Sequence, residues 1–356
     1  MKQRRRIIVL AEGKFGPLES KTANQAIRYI PDEVVGVIDS LQAGRSAQDV
    51  LGFGGDIPVV PDLRSALRRK PDTLLIGIAP TGGKLPDSWR HIVKEAMENR
   101  LNIISGLHTL LSDDEGFVKC AKANNVTIDD LRRVPAEYEA ISQGHWKTRR
   151  SKTILTVGTD CNVGKMTASL ELHREFERRR LSSDFLATGQ TGILLSGRGI
   201  AVDSVVSDYV AGSIEVEIDK RSAEGKEFIH VEGQGSLTHQ GYSSVTLGLM
   251  HGVMPDAMVM VHYPARHVDD YDFPIDDVKR LIELHEMILA PFKASKVVAV
   301  ALNTALMTPR QSEIAQRSLE EQTGLPVGNV LTLDVKRLAD AILNHLDCKR
   351  KETTAP

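Results

Sequence analysis

The stretch Thr156–Thr167, TVGTDCNVGKMT, sets Gly158 and Gly164 either side of five residues and puts Lys165 directly after the second glycine. Glycines let the backbone curl until successive N–H groups converge. The N-terminus of a following helix adds a partial positive charge and a lysine adds a full one, so this pattern predicts a phosphate cradle. Gly158, Thr159, Asn162, Val163, Gly164, Lys165, Met166 and Thr167 are the residues expected to hold cofactor phosphates. Met166 occupies the position where nucleotide hydrolases carry a hydroxyl that holds Mg²⁺. A thioether is a poor ligand for so hard a cation. Thr167 follows one residue on, a rotation of about 100° round a helix. The loop therefore reads as gripping phosphate without splitting it, with no metal expected. Coenzyme A, whose phosphates need binding but not cleavage, fits these residues better than ATP.

Such a loop needs a strand before it and a helix after it. Thr153–Val157 supplies the strand, and a helix is expected from Lys165 to about Arg180, its Arg178–Arg180 suiting the negative end of the helix dipole. Unbroken apolar runs alternate with helical stretches along the whole chain, which predicts parallel sheets covered on both faces. In the first part the expected strands are Arg6–Ala11, Val34–Ile38, Ile57–Val60, Thr73–Ile78 and Asn102–Ser105. Asn24–Tyr29, Asp62–Arg68 and Asp87–Asn99 are the helices between them, with Asp62 as an N-cap. After a connector over Thr127–Lys152 come strands at Thr153–Val157, Ser183–Thr188, Phe228–Val231, Ala257–His262, Val297–Leu302 and Asn329–Leu333. The expected organisation is α/β throughout: a Rossmann-like parallel-sheet domain over 1–145, a P-loop NTPase-like α/β domain over 146–347, and an irregular tail over 348–356.

The five-residue gap is one longer than the commonest phosphate loop. GTDCNVGK followed by Thr167 resembles the loop of dethiobiotin synthetase and its relatives. His230–Ser236, HVEGQGS, is similar to their strand-end VEG-x-G, where the glutamate faces phosphate and metal. Asn303 stands where that group recognises the base, and TGLPV before the last strand follows the same pattern. A closer resemblance covers nearly the whole chain. It rests on GTDCNVGKMTASLEL, Gly199–Asp208, VEGQGS, Gly248–Gly252 followed by Pro255-Asp256-Ala257, and Ile38-Asp39-Ser40 with Ala43-Gly44. On these motifs the chain resembles a P-loop domain-of-unknown-function family that includes a bacterial D-glutamate N-acetyltransferase. That resemblance implies acetyl transfer from acetyl-CoA to the amino group of D-glutamate, in a cytoplasmic route of D-amino-acid catabolism. The alternative implied by the loop and Glu232 is an ATP- and Mg-dependent carboxylase or ligase of the dethiobiotin synthetase type.

Acyl transfer to an α-ammonium needs a base, donors for the oxyanion and cations for the two substrate carboxylates. Glu232, at a strand's carboxyl end beside the loop, or His251 is the expected base. Asp160, inside the loop, is a third catalytic candidate that could orient a ligand amine or the lysine. Arg198 and Arg266 are expected to bind carboxylates through their planar forks, and Asp203 to lie in the same polar region. In the first domain Asp39 and Ser40 end a strand where a Rossmann protein would meet its ligand, although no G-x-G-x-x-G accompanies them. His262 also lies at a strand end, and Cys161 lies within the loop, where direct transfer gives it no nucleophilic task.

Composition narrows the setting. The 356 residues carry 45 basic and 47 acidic side chains, a net charge of −2, which gives no global pull toward nucleic acid or membrane. The run Lys2–Arg6 reads as a solvated lead-in to the first strand. Three cysteines without ligand spacing predict neither a metal site nor a disulfide framework. No apolar run reaches the roughly 20 residues that span a bilayer, and Ile7–Ala11 is too short for a signal peptide. The expectation is a cytoplasmic enzyme with a small amino-acid substrate, forming homo-oligomers.

Overall fold

The structure is a computed structural model in which residues 4–17, 19–78, 83–305 and 307–353 are described, without the side chains of 348–353. In the stretch Ile78–Gly83, a glycine-rich exit from the strand read at Thr73–Ile78, residues 79–82 lie outside the described residues. The chain forms two compact units, one of residues 1–133 with 193–197, the other of residues 134–192 with 198–356.

In the first unit, apolar segments form β1 (Ile7–Leu10), β2 (Val34–Ile38), β3 (Val59–Val60), β4 (Thr73–Ile76), β5 (Asn102–Ser105) and β6 (Ile128–Asp130). They pair all-parallel in the order β3-β2-β1-β4-β5-β6, the doubly wound Rossmann arrangement. The helices between them are α1 (Lys21–Tyr29), α2 (Ala47–Leu51), α3 (Leu63–Leu67), α4 (Arg90–Glu98) and α5 (Glu115–Asn124). The Asp62 carboxylate accepts the Ser65 N–H at 2.7 Å, so it caps α3 as its residue type predicts. The strand β6 falls where only a connector is expected. Its Asp130 accepts the N–H groups of Leu111 and Ser112, at 3.0 and 2.8 Å, so an acidic strand end is tied to a neighbouring turn.

The second unit holds β7 (Lys152–Gly158), α6 (Lys165–Arg178), β8 (Ser183–Leu186), α7 (Gln190–Ser196), α8 (Val210–Ala223), β9 (Phe228–Val231), α9 (Ser243–Val253) and β10 (Ala257–His262). It continues through α10 (Val278–Leu289), β11 (Val297–Leu302), α11 (Pro309–Thr323), β12 (Val327–Gly328) and α12 (Asp334–Thr353). Residues 193–197, the end of α7 and the turn after it, belong to the first unit, where Leu194 is buried in the core. The second sheet is also all-parallel, in the order β12-β11-β10-β7-β9-β8, with β7 and β10 at its centre.

Three expectations are corrected here. The units part after Arg133 and not at residue 145, because Tyr138 is buried in the second unit's core and bonds Glu217 there. The last strand is Val327–Gly328 and not Asn329–Leu333. In that stretch Asn329 and Thr332 turn their side chains onto nearby backbone, which favours turns over a ladder. Helix α12 carries residues 348–353 as helical backbone instead of an irregular tail, and 354–356 lie outside the described residues.

Candidate functional site

The phosphate loop is built as its sequence demands. β7 runs into Gly158 and α6 opens at Lys165. Gly164, at φ +110°, turns the chain into the helix, and no side chain caps the helix start. An uncapped N-terminus leaves first-turn N–H groups directed at whatever occupies the loop. Lys165 is buried at 6% exposure, and its ammonium folds back to donate to the Asp160 carbonyl at 2.7 Å. A Cβ at Gly158 would stand 2.9 Å from that Nζ and 3.0 Å from the buried Val163 side chain, so a larger residue there would displace the lysine from its present position. The Thr156 hydroxyl accepts the Gly233 N–H at 3.0 Å, which ties the end of β9 to the base of the loop.

Thr159 donates its N–H to Val261, and its hydroxyl lies 3.0 Å from His262 Nδ1. Burial, reinforced by the charge of His267, depresses the His262 imidazole to about 4. Asn162 takes φ +56° at the loop's exposed tip, and Val163 anchors the loop in the core. Met166 is buried and Thr167 half-buried. Asn303 comes beside the loop: a Cβ on Gly164 would lie 3.8 Å from its Nδ2.

Asp160 and Arg266, assigned separately from the sequence, are brought together. Arg266 Nε lies 2.7 Å from Asp160 Oδ2, in ionic contact but not aligned as a hydrogen bond, while the same Nε–H reaches the Val268 carbonyl at 3.2 Å. Arg266 Nη2 binds Asp270 at 2.6 Å. Burial pushes the Asp160 carboxyl above its ordinary value, against the opposing pull of the Cys161 N–H and the Arg266 guanidinium.

His239, not singled out from the sequence, completes this cluster. It lies 2% exposed, with its ring centroid 4.8 Å from that of Tyr242 and 5.5 Å from that of Tyr271. Its Nδ1 accepts the Gly241 N–H at 3.1 Å, and its Nε2 faces Asp160 Oδ1 at 4.0 Å. Asp160, Cys161 and His239 offer donor atoms within 4.8 Å of one another, a spacing a cation could use. Because Nδ1 accepts a hydrogen bond, however, Nε2 carries the ring hydrogen and presents a donor where a metal would need a lone pair. No sequence period marks His239; it sits in an irregular loop whose path is fixed partly by Ser236 donating to the Thr159 carbonyl at 3.1 Å.

Glu232 reaches the loop region but is already engaged. Its Oε2 accepts the N–H groups of Thr188 and Gly189 at 3.0 and 3.3 Å, and its Oε1 accepts Gln234 at 3.1 Å. A side chain at Gly192 would collide with the same carboxylate. Asp203 is exposed, and its charge reaches Tyr242.

Two assigned residues are not brought to the loop. Arg198 pairs with Glu224 at 2.8 Å and with Asp184, which aligns through Ile229 with Thr153, at the other end of β7 from Gly158. His251 lies in the last turn of α9, its ring 5.4 Å from Phe292. The turn after α9 leads into β10 through Asp256, whose N–H meets the Thr153 carbonyl at that same far end.

In the first unit Asp39 is a loop clamp. Its two oxygens accept the N–H groups of Lys14, Phe15, Leu41 and Gln42 at 2.8–3.1 Å. Ser40 gives its N–H, at 2.8 Å, and its hydroxyl to Glu12.

Residues 140–339 match the family described as a domain of unknown function, the DUF1611 P-loop domain, and residues 40–134 match the Rossmann-like N-terminal domain of the same name. The chain belongs to the DUF1611 family. A crystal structure of a DUF1611 family protein from Anabaena variabilis superposes with a TM-score of 0.90 at 34% identity, covering 96% of this chain and 99% of that one. Two relatives are named D-glutamate N-acetyltransferase. The one from Tritonibacter scottomollicae is 35% identical over 330 residues, 91% of this chain and 94% of its own. The other, from a Pseudoalteromonas species, is 38% identical over 263 residues, 71% and 76% respectively. No described helix is long and apolar enough to cross a membrane.

Proposed function

We propose that this protein is an N-acetyltransferase that moves the acetyl group of acetyl-CoA onto the amino group of D-glutamate, with the phosphate loop holding the coenzyme's phosphates. The observation that carries this reading is the composition of the loop site. It keeps every element that grips a phosphate and fills the hydroxyl position of a hydrolase with the buried Met166. Glu232, the carboxylate that would face a metal, is bound instead by two backbone N–H groups and an amide. The names of the two relatives support the acceptor, including its chirality.

Within this reading the uncapped start of α6 and Lys165 bind phosphate, and Asn303 beside them is assigned the adenine. Asp160 is the proton acceptor. Its raised carboxyl lies closer to working pH than an exposed one, which favours general-base work. Arg266 is assigned a substrate carboxylate: Nη1 has no partner among the described residues, and Asp270 and Val268 hold the rest of the fork.

Calorimetry with acetyl-CoA and with Mg-ATP, followed by thiol release across a panel of D- and L-amino acids, tests the proposal. We expect acetyl-CoA to bind and D-glutamate to consume it. Lys165→Ala should weaken coenzyme binding at least tenfold, since the buried ammonium is the loop's only full positive charge. Phosphate release from ATP without acetyl-CoA binding would replace this reading with the ligase one.

A further inference from the structure

We propose that His239 is a fixed, uncharged N–H donor that receives the negative charge developing on the thioester oxygen, while Asp160 beside it takes the amine proton. This rests on the acetyl-transfer reading above. The geometry is one of unmet partners. His239 Nε2 is buried and has no hydrogen-bond partner among the described residues, and at 4.0 Å Asp160 Oδ1 is too distant to be one. Asp160 Oδ2 is likewise buried without an aligned hydrogen bond. A buried donor left unpaired is costly, so such a pair is retained where a ligand completes it.

What completes an N–H donor and a carboxylate acceptor side by side is a group that carries an oxygen acceptor next to an N–H. An amine attacking a carbonyl is such a group. The ammonium of the acceptor first loses one proton to solvent. The amine nitrogen then bonds to the carbonyl carbon, and the π electrons move to the oxygen, which the His239 Nε2–H stabilises without giving up its hydrogen. Asp160 takes the second amine proton. When the carbon–sulfur bond breaks, the departing thiolate receives that proton from Asp160, leaving amide and thiol.

The ring is held for this task in protonation state and in direction. The Gly241 N–H occupies Nδ1, so the hydrogen must sit on Nε2, and charging the ring would set two hydrogens against each other. Tyr242 and Tyr271 flank the ring and fix its plane. Asp160, Asp269, Cys161 and Arg266 are the ionisable groups around it besides those tyrosines.

The test compares two replacements. His239→Asn keeps an acceptor for Gly241 but removes the Nε2 donor, and should lower kcat about 100- to 1,000-fold with KM little changed. His239→Gln carries an amide N–H to the Nε2 position, and should recover at least tenfold of that loss. The acid limb of its kcat/KM profile should superpose on that of the parent protein. A glutamine variant as inactive as the asparagine one, near-native rates in both, or loss of the acid limb with glutamine would each overturn the proposal. The last outcome would make His239 the titrating base. Long-range ¹H–¹⁵N spectra of histidine-labelled parent protein give a readout that needs no activity. They should show hydrogen on Nε2 and a bare Nδ1 in the neutral ring; hydrogen on Nδ1 overturns the assignment. If that tautomer is found but no amino acid accepts an acetyl group, the acetyl-transfer reading falls and the oxyanion role with it.

Discussion

Asp160 is neutralised by the group proposed to meet the substrate. Arg266 lies 2.7 Å from its carboxylate; in the reaction proposed above, a substrate carboxylate drawing the guanidinium away would free Asp160 to act as base only when an acceptor is present. Asp160→Asn should therefore lower kcat/KM at least about 100-fold. Its thermal midpoint should be equal or higher, because burial disfavours the charge and the amide removes it. Thiol-release assays and thermal unfolding on the same preparation check both halves, and a variant that is active, or inactive only because it is unstable, contradicts the assignment. The strand–loop–helix frame was legible from residue type and spacing, and Asp160 and Arg266 could be named as separate candidates, while their pairing could not. His239 was not legible, since only the fold of an irregular loop brings it opposite Asp160. Arg198 and His251 suited the chemistry by type, but sheet register puts both at the strands' opposite end.

Between elements, Glu232 links three pieces of structure: the end of β9 that carries it, the exit of β8 and the start of α7. Replacing it by glutamine leaves an oxygen for the two backbone donors at Oε2 but sets an amide N–H₂ against that of Gln234 at Oε1. Glu232→Gln should cost about 1–2 kcal/mol of stability, measured by urea unfolding, while the pH profile of kcat/KM keeps its shape. Loss of the acid limb in this variant would restore Glu232 as the base. Strands β1, β2, β4, β5 and β7–β11 were readable as unbroken apolar runs, because burial on both faces removes any need for polar alternation. The elements missed were those in which polar side chains bond local backbone, the acidic end of β6 and the Asn329–Asp334 turn. There hydropathy no longer reports burial.

Across the whole molecule, acid should act unevenly. His173, His230, His262 and His285 are all pushed below their ordinary value by burial, His262 and His285 to about 4, and all four lie in the second unit. A folded-state pKa below the unfolded one means that the unfolded chain binds more protons between about pH 4 and 6.5. Stability is therefore full above that window and falls as pH drops through it, by about 1.4 kcal/mol per pH unit for each fully buried ring. Hydrogen exchange at falling pH should show the second unit opening first, and His230→Leu should flatten the slope; equal loss in both units would contradict this. Timing is a further whole-chain matter, and it follows from residues 193–197. The first unit's core lacks Leu194 until the chain has been made well past the phosphate loop. A nascent chain that has just emerged through Arg133 thus holds all six strands of its sheet but a core still open where Leu194 will pack. A gene fragment cut at that point encodes a domain missing its last piece.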